Sequence, residues 1–166
     1  MTLWDVEIDP YEDALLSCSR ESLESLALEV IKTVPEYFDR PLDDLFDRGT
    51  VALFRNALEE FQAFSGASPI VVERWNEMFK DVYDWQDSSS PFIAASLVQG
   101  LGQFADLLLG RSDGEEVLEV LSSCYESVLS SARLGRAASI DDERRNPNCR
   151  AAVSRQVALI QEACGR

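Results

Sequence analysis

The sequence predicts an all-α, single-domain helical bundle of six to eight helices with a short extended N-terminal arm. Three observations carry that reading. Apolar residues recur at i, i+3, i+4 and i+7 along most of the chain, most regularly in Leu23, Leu26, Ala27, Val30, Ile31 and Val34. Helix-start signals punctuate it: Ser68-Pro69, Ser90-Pro91 and Asn146-Pro147 each place a capping side chain before a proline, and Ser112-Asp113-Gly114-Glu115 forms a capping box. The length, 166 residues with 46% apolar and 27% charged, suits one soluble domain. A chain of this size buries roughly 70% of its unfolded surface, so a core forms without disulfides or metal.

The elements follow in order. Trp4, Val6 and Ile8 alternate with Asp5, Glu7 and Asp9, a strand-like period of two, so residues 1–9 read as an extended arm before a helical domain over 10–166. No partner strand is evident, and the arm either packs on helices or is completed by a second copy in a homodimer. Asp9-Pro10-Tyr11-Glu12 reads as a helix start. The first stripe is interrupted at Ser19 and Arg20, which fits one bent helix or two short ones. Pro35 and Pro41 break the chain, and a short helix follows over Leu42 to Asp47. Thr50 is the expected cap of a helix carrying Val51, Phe54, Leu58 and Phe61 to a stop at Gly66. The next helix presents Val71, Trp75, Met78 and Val82, and Asp87 to Ser90 is a loop.

Phe92 to Leu109 is the most apolar segment, with Asp106 as its one charge, and is expected to be the central, most buried helix. Gly100 and Gly102 lower its helix propensity, and the simplest reason for them is close approach of a neighbouring helix. Val117, Val120, Leu121, Cys124 and Val128 mark a further helix, ending at Gly135. The last carries Cys149, Val153, Val157, Ile160 and Cys164.

Three junctions, Val34-Pro35-Glu36-Tyr37, Ser90-Pro91-Phe92-Ile93-Ala94-Ala95, and Asp141-Asp142-Glu143 with Asn146-Pro147 ahead of Gln156 and Glu162, occur in an order and spacing that resembles the YjaG-like family. That is a bacterial all-helical family of unknown function, and the likeness spans about residues 23–164. It implies an all-α bundle and no established catalytic residues. Ala94 stands where members of that family often carry an aspartate.

Several chemistries are excluded by composition. There is no histidine, so His-based triads, His-ligated zinc and His general bases are out. Thirty acids face fifteen bases, a net charge of -15, which argues against direct nucleic-acid binding. Phosphate loops, nucleophile elbows and calcium-loop spacings are missing, so the chain reads as no enzyme, with no cofactor and no metal. Asp43-Asp44-x-x-Asp47 and Glu115-Glu116 read as caps and dipole partners rather than metal ligands. Cys18, Cys124, Cys149 and Cys164 form no CxxC pair and read as reduced thiols; Cys149, near Arg144, Arg145 and Arg150 in a first helical turn, is the one with a case for reactivity, although it also continues an apolar stripe. No apolar run reaches membrane-spanning length and the N-terminus is acidic, so a cytoplasmic protein with no membrane contact is expected.

The charge is asymmetric. Residues 1–90 carry 20 acids and 7 bases, and residues 91–166 carry 10 and 8. An acidic surface of this kind solubilises, and it also steers a basic partner. The functional expectation is an acidic binding protein, of the immunity-protein or antitoxin kind, that neutralises a basic protein such as a nuclease-type toxin by occluding its active site. The expected partner-binding residues are Asp39, Asp43, Asp44 and Asp47, with Tyr83, Asp84, Trp85 and Asp87 supplying aromatic anchors among acids. The alternatives are a DNA-mimic inhibitor of a nucleic-acid enzyme, which the interleaved Arg20, Arg40 and Arg48 weaken, a carboxylate metal enzyme, and a housekeeping helical scaffold.

Overall fold

A computed structural model describes residues 1–64, 74, 75, 77, 92–110, 115–134 and 137–165. The fold is all-α, with no strand among the described residues. Among the described residues, five long helices carry it: α3 (Arg20–Thr33), α5 (Arg48–Ala63), α6 (Phe92–Leu108), α7 (Glu115–Ser131) and α9 (Pro147–Cys164). Short helices fill the corners: α1 (Leu3–Ile8), α2 (Glu12–Leu16), α4 (Leu42–Leu45) and α8 (Ile140–Arg145), with 3-10 turns at Asp9–Tyr11 and Val34–Tyr37. Among the described residues, no helix is long and apolar enough to cross a membrane.

The N-terminal arm is helical, not extended. Thr2 caps α1 and Asp5 returns the bond to the Thr2 amide, a complete capping box that the two-residue alternation masked. A helix puts Trp4 and Ile8 one turn apart on the same face, and both are buried, whereas Val6 is 38% exposed. The strand face Trp4-Val6-Ile8 therefore does not exist, and with it goes the strand-completion route to a homodimer. The chain is already turning at Asp9, so Asp9–Tyr11 forms a 3-10 turn without a side-chain cap and α2 starts at Glu12.

Elsewhere the local signals act as read or within three positions. Ser19 caps α3 by accepting from the Ser22 amide, so the interrupted stripe is two helices. Asp47, rather than Thr50, caps α5: it accepts from the Thr50 amide at 2.8 Å, and Thr50 itself is buried. Asn146 accepts from the Asn148 and Cys149 amides ahead of Pro147, starting α9 where expected. The Ser112 box, the Gly66 and Gly135 stops, and the predicted helix and loop over 68–90 lie outside the described residues, apart from Arg74, Trp75 and Glu77, which are helical; Trp75 is buried against Phe61 and Phe64.

Among the described residues, α7 rather than α6 sits at the centre of the bundle. Gln103 accepts from the Ser123 hydroxyl at 2.9 Å and Gly100 faces Ser123 and Cys124, so α6 and α7 run antiparallel in close contact. α7 also packs on α3, α9 and α2. It buries three serines, Ser123, Ser127 and Ser131, beside its apolar residues. Ser127 donates to the Cys124 carbonyl and Ser131 to that of Val128, so these hydroxyls enter the core satisfied. A hydropathy reading scores them as polar and so places α7 too near the surface. The close approach predicted from the glycines holds at Gly100; around Gly102 an added methyl would meet nothing within 4 Å.

Candidate docking surface

Three arrangements of polar side chains stand out: a buried network, a groove between α3 and α9, and the acidic segment around α4.

The network joins the N-terminal helix to the core. Glu143 on α8 is 3% exposed and its Oε2 accepts from the Leu3 amide and from the Tyr125 hydroxyl, each at 2.7 Å. Trp4 Nε1 donates to Gln156 Oε1 at 2.7 Å, and Gln156 Nε2 donates to the Leu121 carbonyl at 3.0 Å. Burial and the bond to Glu143 push the Tyr125 hydroxyl far above its ordinary range. Burial pushes the Cys149 thiol up to about 11, against a partly offsetting hydrogen bond from Tyr125, and pushes Cys124 up to about 12. Both thiols are fully buried, so Cys149 is a core residue and its helix-start position does not make it an exposed nucleophile. The network holds α1, α7, α8 and α9 together.

The groove is open to solvent and has a volume of about 380 Å³. Glu21, Ser25 and Glu29 lie at i, i+4 and i+8 along one face of α3, with Ser22 beside them, and α9 contributes Glu162. The floor is apolar: Leu26, Leu159 and Ala163. Glu29 is engaged by Lys32 at 3.3 Å and Arg155 at 3.7 Å. Among the described residues, Glu21 and Glu162 have no ion-pair partner and both are exposed. The carboxylate row on α3 is visible in the sequence; that α9 forms the opposite wall is not.

No family model, curated protein or solved structure matches this chain.

Of the residues expected to bind a partner, Asp39, Asp43, Asp44 and Asp47 cluster on the exposed surface around α4. Two of them have other occupations. Asp47 is the α5 cap, and Asp43 pairs with Arg55 at 2.9 Å. The Asp39 amide donates to the Ser131 hydroxyl, which anchors the segment to α7. Tyr83, Asp84, Trp85 and Asp87 lie outside the described residues. No group of three or more metal-ligating side chains occurs among the described residues.

Proposed function

We propose that this protein is an acidic binding module that neutralises a basic protein partner by occlusion, in the manner of an immunity protein or antitoxin. The observation that carries the reading is the α3–α9 groove, where exposed Glu21 and Glu162 flank an apolar floor of Leu26 and Leu159. A lysine or arginine side chain suits both parts, its stem on the apolar floor and its charged head against the carboxylates. Residues 1–19, whose α2 packs beside α9, carry five acids and no base, and expose Val6 and Leu16. They extend the same combination of negative charge and apolar surface. The α4 cluster is the weaker candidate, because Arg40, Arg48 and Arg55 interleave with its aspartates.

The test begins with affinity capture from native lysate at about 50 and 300 mM salt, since the shorter screening length at high salt strips a charge-steered partner. The association rate of the captured basic protein is then compared for the native chain, Glu21→Gln/Glu162→Gln and Asp43→Asn/Asp44→Asn. Slowed association with a flattened salt dependence in the groove variant is expected. An unchanged rate in that variant removes the groove from the account. Retention of no basic protein at either salt overturns the reading.

A further inference from the structure

Two of the four thiols, from opposite ends of the chain, are brought together. Cys18 lies in the turn between α2 and α3, and Cys164 is the last residue of α9. Both are half-buried, unlike the fully enclosed Cys124 and Cys149. The Cys18 thiol donates to the Ala163 carbonyl at 3.5 Å, which places its sulfur against the residue that directly precedes Cys164. Each sits at the end of an element, Cys164 directly before the left-handed Gly165 at φ 70°, where small backbone adjustments are easy to accommodate.

We propose that Cys18 and Cys164 are a reversible redox site, forming an intramolecular disulfide when the protein meets a peroxide. The Cys18 sulfur attacks one peroxide oxygen, forming an S–O bond and breaking the O–O bond, and the departing hydroxide leaves as water after taking a proton. The Cys164 sulfur then attacks the Cys18 sulfur, forming S–S and breaking S–O, and its proton leaves with the hydroxide as a second water. Two thiols are oxidised and one peroxide is reduced to two waters. Burial and the neighbouring Cys18 sulfur push the Cys164 thiol up to about 12, in keeping with two thiols held close together. The bond ties the C-terminal turn of α9 to the start of α3, at the end of the groove lined by Glu21, Glu162 and Ala163. The pairing stands independently of the docking reading, because it is measured without a partner.

The experiment uses the full reduced chain, a few equivalents of hydrogen peroxide, alkylation of the remaining thiols and non-reducing tryptic mass spectrometry. The expected result is loss of two thiols per chain, one cross-linked species joining peptides 1–20 and 156–166, and a monomeric band. Closing so long a loop should raise the melting temperature by roughly 10 °C, reversed by dithiothreitol. In Cys164→Ser, Cys18 should stop at the sulfenic acid and be trapped by dimedone. Disulfides between chains, over-oxidation of Cys18 with Cys164 still free, or no reaction would each overturn the proposal. The wild-type cross-link map decides even if the variant fails to fold.

Discussion

Replacing Tyr125 with phenylalanine tests the buried network directly. The ring fills the same space, so no cavity opens, and what is lost is the hydroxyl that donates to Glu143 Oε2 at 2.7 Å. Glu143 is 3% exposed, so water does not easily take its place, and among the described residues the carboxylate keeps only the Leu3 amide as a donor. A hydrogen bond to a carboxylate contributes about 1.5–3 kcal/mol, and an incompletely satisfied buried acceptor places the loss toward the middle of that range, about 2 kcal/mol. For a domain of this length that is a fall of roughly 4–8 °C in melting temperature. Urea unfolding followed by circular dichroism should show a lower midpoint with an unchanged slope. Glu143→Ala should cost more, about 3–4 kcal/mol, since it orphans the Tyr125 hydroxyl and the Leu3 amide and leaves a cavity. It should also speed hydrogen exchange in α1 beyond the global loss of stability. A Tyr125→Phe variant within about 0.5 kcal/mol of wild type would refute the view that Glu143 depends on this donor.

Three further outcomes follow from the geometry. Gly110 has φ 67°, and a methyl there would fall 2.5 Å from the Arg20 Nη1 that approaches it. Gly110→Ala should therefore destabilise by about 2 kcal/mol, combining left-handed strain with loss of the Arg20 bonds to the Leu107 and Leu108 carbonyls, and calorimetry should show a smaller effect in an Arg20→Ala background. Gly102→Ala should stabilise by about 0.5–1 kcal/mol, since the added methyl meets nothing and helix propensity improves; a lower urea midpoint would contradict the open space seen there. Cys124 and Cys149 have folded-state thiols raised from 9.0 to about 12 and about 11, so the unfolded chain loses those protons first. Their contribution is intact below pH 9 and declines as pH rises from 9 toward 12, and chemical unfolding at pH 8 and pH 10.5 should show the lower midpoint at the higher pH.

Much of the candidate site was written in the sequence without being readable there. The Glu21-Ser25-Glu29 row on α3 follows from helical spacing, but its partner wall, Leu159, Glu162 and Ala163, lies more than a hundred residues away. The α4 cluster was visible as a run of aspartates. The structure assigns Asp47 to capping and Asp43 to Arg55, roles that depend on where α5 starts and on a partner twelve residues along.

The sequence by itself determined the all-α class, the breaks at Pro35 and Pro41, the Asn146-Pro147 start of α9 and the apolar faces of the long helices. These depend on interactions spanning four residues or fewer, where spacing and capping chemistry act directly. Where competing short-range signals met, as at Thr2-x-x-Asp5 against the alternation of Trp4, Val6 and Ile8, the capping box and the burial of Trp4 and Ile8 won. Only the tertiary structure decided that α7 is the hub, that Glu143 is a core residue, that Trp4 reaches Gln156 across 152 positions, and that Cys18 reaches the Ala163 carbonyl beside Cys164. The physical reason is the same in each case. A buried polar group or thiol is defined by its long-range partners, and a local pattern carries no information about which distant side chain will satisfy it.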